Sequence, residues 1–317
     1  MCIRKIILLF IVFCAGCISL FAQEGSHLSV ALKAGGGGLD YKVNSSDLKE
    51  KGNRSNQLGV GVNFNYSYFF NNNWGISIGL DITRYASVGK LKGGISDNSF
   101  FALGQFVDDD LEGRPREFEL RTRISNLEEL QTVFFFEIPV MLAYQTRFGD
   151  DEKWGMYGGI GVKLMLPISS KFEIQNGENS QFNVSGYYEG IPTDMGSPSH
   201  PPVSNHGYGT ITDPNASLSW NDDLKLKTGV AGTFDLGFLF RIAEETDFTV
   251  GGYFDYGFTD MKKNGNQKLF TSPKEYHPGS NKKIGEGIRY NGMLNSDLTG
   301  KIKPIAFGLK VGIRFKL

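Results

Sequence analysis

The sequence predicts an all-β fold: an eight-stranded antiparallel up-and-down transmembrane β-barrel with long extracellular loops. Three observations predict it. Apolar residues recur at every second position in eight separate segments. The connections between those segments alternate between short and long. The chain carries 25 Phe, 13 Tyr and 41 Gly, yet beyond its first 22 residues it has no apolar stretch long enough for a membrane helix.

Residues 1–22 read as a cleaved signal peptide, leaving 23–317 as one barrel domain. Arg4 and Lys5 make a positive start, Ile6 to Phe13 and Ile18 to Phe21 are apolar, and small Ala22 precedes polar Gln23 and Glu24. Cys14-Ala15-Gly16-Cys17 offers a rival, lipidation at Cys17. Against it stand Cys14, where an aliphatic residue is usual, and the apolar run that continues past Cys17. All three cysteines (Cys2, Cys14, Cys17) lie in this segment. The rest of the chain therefore has no disulfide, thiolate metal site or cysteine nucleophile. Without Arg4 and Lys5, the 33 Lys+Arg and 34 Asp+Glu leave a formal charge of −3, which gives no electrostatic ground for nucleic acid.

The strands follow in order. A short one is centred on Leu28 to Ala34, within 27–39. In 57–70, Leu58, Val60, Val62, Phe64, Tyr66, Tyr68 and Phe70 take one face and Gly59, Gly61, Asn63, Asn65 and Ser67 the other. After Asn71-Asn72-Asn73, the strand 74–86 sets Trp74, Ile76, Ile78, Leu80 and Ile82 against Gly75, Ser77, Gly79, Asp81 and Thr83. The strand 131–147 is the noisiest, because Val133, Phe135 and Met141 occupy its nominally polar face. Strands 153–166, 226–242, 247–260 and 302–317 repeat the rule, the last with Ile305, Phe307, Leu309, Val311, Ile313, Phe315 and Leu317 on one side. Connections 71–73, 148–152 and 243–246 are short, and 40–56, 87–130, 167–225 and 261–301 are long. That asymmetry matches periplasmic turns and extracellular loops. Of 11 prolines, eight fall in long connections and two (Pro167, Pro304) at strand ends; Pro139 interrupts a strand, where a bulge is expected. Tyr68, Phe70, Trp74, Tyr144, Phe148, Trp154, Phe240, Phe248 and Phe315 gather at the short-turn end, as a lower interfacial girdle would. A soluble sandwich or lipocalin-like barrel would need bulky inward side chains, whereas here the face opposite the apolar one is Gly, Ser, Asn, Thr and charge.

Three short stretches carry a family resemblance. Phe136-Glu137-Ile138-Pro139-Val140-Met141-Leu142 resembles the "EIP" strand of a Bacteroidota outer-membrane β-barrel family often called PorT-like. Tyr253 to Asp260 is similar to that family's penultimate strand, Gly308 to Phe315 to its last, and Phe21-Ala22-Gln23 to signal junctions of that phylum. The resemblance spans the strands and omits the long loops. It implies an eight-stranded barrel of the OmpA/OmpX size, and its namesake's role as accessory to a protein-secretion machinery. The chain departs from the pattern in ending on Leu317, two residues past the aromatic Phe315.

Several constellations are candidates for function. The inward face carries Asp81, Glu137, Asp235 and Asp255 with Lys33, Lys163, Lys227, Arg241, Lys310 and Arg314. Opposite signs supplied together in a bore only wide enough for side chains predict a structural charge network rather than a selectivity filter or catalytic pair. Tyr187, Tyr188, Tyr208 and Trp220 are aromatics in a polar loop, a composition suited to recognition. His200, His206 and His277 lie in loops and His27 at the periplasmic start, and none has the neighbouring Ser and acid of a triad. Asp108-Asp109-Asp110 with Glu112 lacks calcium-loop spacing, and Gly35 to Gly38 has no helix start after it. The Lys-rich 261–301 loop (Lys262, Lys263, Lys268, Lys274, Lys282, Lys283) is expected in solvent, where it can meet lipopolysaccharide phosphates.

These features predict a non-catalytic outer-membrane protein of a Gram-negative bacterium. Its role is structural or surface-binding through four extracellular loops, and it needs no cofactor or metal. Expected partners are outer-membrane lipid and lipopolysaccharide, the barrel-assembly machinery during biogenesis, and an extracellular ligand or secretion machinery. Alternatives are a PorT-like secretion accessory, a lipid A-modifying enzyme and a small porin-like pore.

Overall fold

The computed structural model describes residues 25–43, 52–91, 101–108, 116–149, 152–175, 181–187, 205–206, 210–211, 221–263, 267–271 and 289–317. The expected signal segment, with Cys17, lies outside them. Eight strands form the wall: β1 (Ser26–Asp40), β2 (Gly52–Phe69), β3 (Trp74–Leu91), β4 (Leu127–Phe148), β5 (Trp154–Ile174), β6 (Gly229–Ala243), β7 (Thr246–Gly257) and β8 (Lys303–Lys316). Each pairs antiparallel with its neighbour in sequence, and β8 pairs with β1 to close the ring. Closure leaves no unpaired edge, which is what a sheet in lipid requires.

The alternation seen in sequence becomes an inside-out barrel. On β3, Trp74, Ile76, Ile78 and Ile82 are exposed, while Gly75, Ser77, Gly79, Asp81 and Thr83 are buried in the bore. Leu32 and Leu309 are each 65% exposed, among more than thirty exposed large apolar residues. No soluble monomer tolerates a continuous patch of that size. On β8 the apolar run from Ile305 to Phe315 spans ten residue steps. At roughly 3.4 Å per residue and a tilt of about 40°, that stands about 25 Å tall, the height of a membrane band. At its lower edge Trp74 stacks edge-on with Tyr144, and Trp154 with Phe240, each at 4.9 Å between ring centroids.

Small inner residues make room for large ones. Gly237 and Gly251 face each other on β6 and β7. A Cβ on either would lie 2.6 Å from the Tyr157 side chain, so that side chain fills the space both leave. Gly79 does the same for Pro139, whose Cγ a Cβ would approach to 2.9 Å.

The structure corrects three expectations. Pro139 makes no bulge: it stays in register opposite Lys163, and β3–β4 pairing keeps one register on both sides of it. The irregularity lies higher, where Phe134 pairs with Ser169 and Phe135 with Pro167, leaving Ile168 as the extra residue. Pro167 is thus inside β5 and not at its end.

Second, the strands on one side are longer than the alternation predicts. β2, β3, β4 and β5 have 18, 18, 22 and 21 residues, against 15, 12 and 14 for β6, β7 and β8. About 9–11 residues cross the hydrocarbon, so β4 and β5 stand well clear of it. In this collar the polarity inverts. Lys90 and Glu128 point outward and pair at 2.7 Å, while Leu91, Leu127, Phe172 and Ile174 point inward.

Third, the connections 87–130 and 167–225 are not loops throughout. Phe101–Asp108, Arg116–Ser125, Gln181–Tyr187, Thr210–Ile211 and Asn205–His206 form a second, five-stranded sheet. It joins the two connections, with Glu119 opposite Tyr187 and Ser125 opposite Gln181.

Candidate functional site: a sealed bore and its extracellular cap

Five charged side chains meet across the middle of the bore. Lys163 on β5 reaches Asp255 on β7 at 2.8 Å, Glu137 on β4 at 2.9 Å and Asp81 on β3 at 3.7 Å. Lys33 on β1 reaches Asp81 at 3.0 Å and Asp255 at 3.7 Å. Asp81 and Glu137 are direct cross-strand partners, a like-charge pairing that the two lysines compensate. Asn63 donates to Asp81, and Lys33 Nζ sits 4.5 Å from the centroid of the Tyr253 ring. None of the five is more than 4% exposed, so each charge depends on its partners for what water would supply.

Below this cluster, Lys310 pairs with Asp235 at 2.6 Å. A cavity of about 60 Å³ lies there, lined by Asn65, Ser67, Tyr157, Asp235, Lys310 and Arg314 among others. Its lining is mixed, with Ala31, Met141 and Leu239 beside those polar groups, and the polar side offers partners for a few waters. At the base Arg314 and Arg147 share the Asp247 carboxylate at 2.8 and 2.6 Å.

The expected interior network is therefore three separate groups, and two expected members are elsewhere. Arg241 is half-exposed at the periplasmic rim, 3.4 Å from Glu152. It keeps the β6–β7 register, opposite Asp247, but stands on the last rung before the turn, and the Asp247 carboxylate is already held by Arg314 and Arg147. Lys227 is exposed and precedes β6.

Above the cluster the bore turns apolar. Tyr85 and Phe135 pack edge-on at 5.2 Å, with Val133 and Met165 fully buried beside them. Val133 and Phe135, which disturb the alternation in sequence, are thus the plug's own core. Next comes a polar chain: Ser87 donates to Gln131 at 3.0 Å, and Gln131 donates to Tyr41 at 3.1 Å and to Glu129 at 2.8 Å.

The connection after β7 then folds down over the mouth. Phe270–Thr271 pairs with Arg289–Tyr290, and Met293, Leu294, Leu298 and Ile302 are buried against Leu39, Leu127, Phe172 and Ile174. Gly292 turns the chain at φ +84°, where a Cβ would strike the Phe172 ring at 2.8 Å. Fully buried Glu129 anchors the turn by accepting from the Tyr290 hydroxyl and from the Met293 N–H at 2.8 Å. Burial, then the Glu129 charge, pushes the Tyr290 and Tyr41 hydroxyls well above the ordinary phenol range. Lys262 donates to the carbonyls of Ser296 and Thr299 at 2.6 and 2.5 Å, and burial lowers its ammonium pKa.

This corrects the reading of 261–301 as a solvated basic loop. Lys262 is consumed by the cap, Lys263 and Lys268 are exposed, and Lys274, Lys282 and Lys283 lie outside the described residues. The anchors Glu129, Tyr290, Tyr41 and Tyr85 were missed. Only Tyr85 left a trace, as an apolar residue on a polar face.

Of the expected recognition aromatics, Tyr187 ends the strand Gln181–Tyr187, and Tyr188, Tyr208 and Trp220 lie outside the described residues. Asp108 ends a strand opposite Arg116, and Asp109, Asp110 and Glu112 lie outside the described residues. His27 is buried at the base with Nδ1 3.3 Å from the Gly25 carbonyl, His206 ends a two-residue strand, and His200 and His277 lie outside the described residues. Among the described residues no three His, Cys, Asp or Glu are grouped to hold a metal.

A closed antiparallel barrel with an apolar exterior, a lower aromatic girdle and a charged interior is an outer-membrane protein of a Gram-negative bacterium. The chain belongs to the outer membrane protein beta-barrel domain family, whose sequence profile matches residues 21–263. Solved structures similar to it include Neisserial surface protein A, with 11% identity, a TM-score of 0.32, and 92% of this chain and 97% of that one covered. OprG of Pseudomonas aeruginosa gives 11%, 0.35, 92% and 96%. Ail of Yersinia pestis, solved with the heparin analogue sucrose octasulfate, gives 10%, 0.30, 92% and 99%. No curated protein is similar to it in sequence.

Proposed function

We propose that the protein is a non-catalytic barrel that holds a rigid collar and its loops at the cell surface, where they bind a partner or brace the envelope. The observation that carries this is the blocked bore: the five-charge cluster, the Tyr85–Phe135 layer and the cap anchored on Glu129 lie one above another. Such a wall supports display better than passage, which weighs against the small-pore reading. The collar of β2–β5 gives the loops a folded base, and binding surfaces are commonly loops on a rigid scaffold. A second reading, accessory to a protein-secretion machinery, is favoured by the PorT-like motifs, which fall on β4, on and just after β7, and on β8.

Crosslinking of tagged protein on intact cells, followed by pull-down and mass spectrometry, tests both. Display predicts crosslinks from the collar loops to an extracellular or envelope molecule. A reproducible set of secretion proteins would replace the first reading with the second. Single-channel steps from the purified barrel in planar bilayers would refute the blocked bore.

A further inference from the structure

The charges above the apolar belt differ between the two sides of the barrel. On the tall side they are matched by acids: Lys90 pairs with Glu128 at 2.7 Å and Arg54 with Asp40 at 3.2 Å, and exposed Lys171 of β5 stands in register with Asp223 and two residues from Glu173. On the short side they are not. The outward face of β8 runs through apolar residues up to Ile305 and then presents Lys303, followed by exposed Lys301. Beyond Val230 of β6 stands exposed Lys227, and beyond Asp40 of β1 stands exposed Lys42. Backbone bonds tie these ends together: Lys303 is in register with Asp40, Gly300 N–H donates to the Lys42 carbonyl, and Lys227 N–H donates to the Met261 carbonyl.

Among the described residues none of the four lysines makes an ion pair. Two acids at this rim are already engaged. Asp40 holds Arg54, and Asp260 Oδ1 accepts the N–H groups of Lys262 and Ile302. Lys303 Nζ lies over Tyr256, 5.4 Å from the ring centroid, which keeps that ammonium at the edge of the belt.

A cation row continuous with a lipid-facing apolar wall fits a ligand with acyl chains below and anions above. We infer that Lys42, Lys227, Lys301 and Lys303 bind the phosphates of lipid A, the anionic glycolipid of the outer leaflet. This site is independent of whatever the collar loops bind. It leaves the barrel with one face clasped by lipid and the tall face free.

The test is native mass spectrometry of the full barrel folded in detergent, titrated with diphosphorylated lipid A, with the same lipid stripped of phosphate, and with phosphatidylglycerol. Bound diphosphorylated lipid A is expected, with retention falling as salt rises. The triple variant Lys227→Gln, Lys301→Gln, Lys303→Gln should weaken it by roughly 100-fold, on the scale of a lysine's attraction to an anionic lipid surface. Lys90→Gln with Lys171→Gln, on the tall side, should leave it unchanged. Circular dichroism of each variant reports folding separately. Retention of the phosphate-free lipid or of phosphatidylglycerol as strong as that of the diphosphorylated form would overturn the assignment. So would a folded triple variant that binds within twofold of the parent.

Discussion

Lys163 is the side chain on which the middle of the bore depends. It comes within 4 Å of three carboxylates from three different strands, at 1% side-chain exposure. The bore there has no bulk water to take over its role. Lys163→Met would keep most of the volume and leave Asp81, Glu137 and Asp255 facing Lys33 alone. Breaking a buried pair from one side costs about 3–5 kcal/mol, and that loss is expected in urea unfolding of the barrel in lipid vesicles. Adding Glu137→Gln removes one of the surplus charges and should recover part of the loss. A double variant no more stable than Lys163→Met would show that the lysine acts through packing and not through charge.

At the scale of the element, the cap has one buried carboxylate, Glu129, as the anchor of its turn. Glu129→Ala would leave the Met293 N–H and the Tyr290 hydroxyl buried without an acceptor, at about 1–3 kcal/mol for each group. Backbone amides of 290–302 should then exchange hydrogen about 10–100-fold faster, while those of β6–β8 keep their protection. Unchanged exchange across 290–302 would mean that the apolar contacts alone hold the cap. Tyr290→Phe removes one of the two bonds and should have a smaller effect.

The same elements show what could be read beforehand. Within the membrane most wall strands announce themselves, because lipid outside and a tight bore inside favour alternation, as in Trp74 to Thr83; the strand with Val133, Phe135 and Met141 inward is the noisy one. The collar hides because its environment is reversed. In Ser87 to Leu91 and Leu127 to Gln131, Lys90 and Glu128 face out while Ser87, Glu129 and Gln131 face in beside Leu91 and Leu127, so polar residues fall on both faces and the stretches look like polar loop. The charge cluster was legible from the parity of Lys33, Asp81, Glu137, Lys163 and Asp255. Arg241 shares that parity but stands on the last rung before the turn, and parity alone does not tell the bore from its rim. The cap was illegible: Met293, Leu294, Leu298 and Ile302 have no repeating spacing, and their partner Glu129 lies far away in sequence.

For the whole molecule, the decisive property is that the outward face of every wall strand exposes large apolar side chains. Ile78 is 45% exposed, Leu309 65% and Leu58 63%. In water, replacing any of them with arginine would change stability by no more than about 0.5 kcal/mol, as surface substitutions usually do. In a bilayer the cost depends on depth. Ile78 and Leu309 sit midway along their strands' apolar runs, so Ile78→Arg and Leu309→Arg should each cost about 2–4 kcal/mol in vesicle-reconstituted protein. Leu58 lies at the upper end of the run on β2, next to the collar, so Leu58→Arg should cost only about 0–1 kcal/mol. Three nearly neutral substitutions would contradict the membrane orientation derived for the wall. Three equal and large costs would keep the barrel in lipid but place the collar below the membrane surface, which would bury the Lys90–Glu128 pair in hydrocarbon.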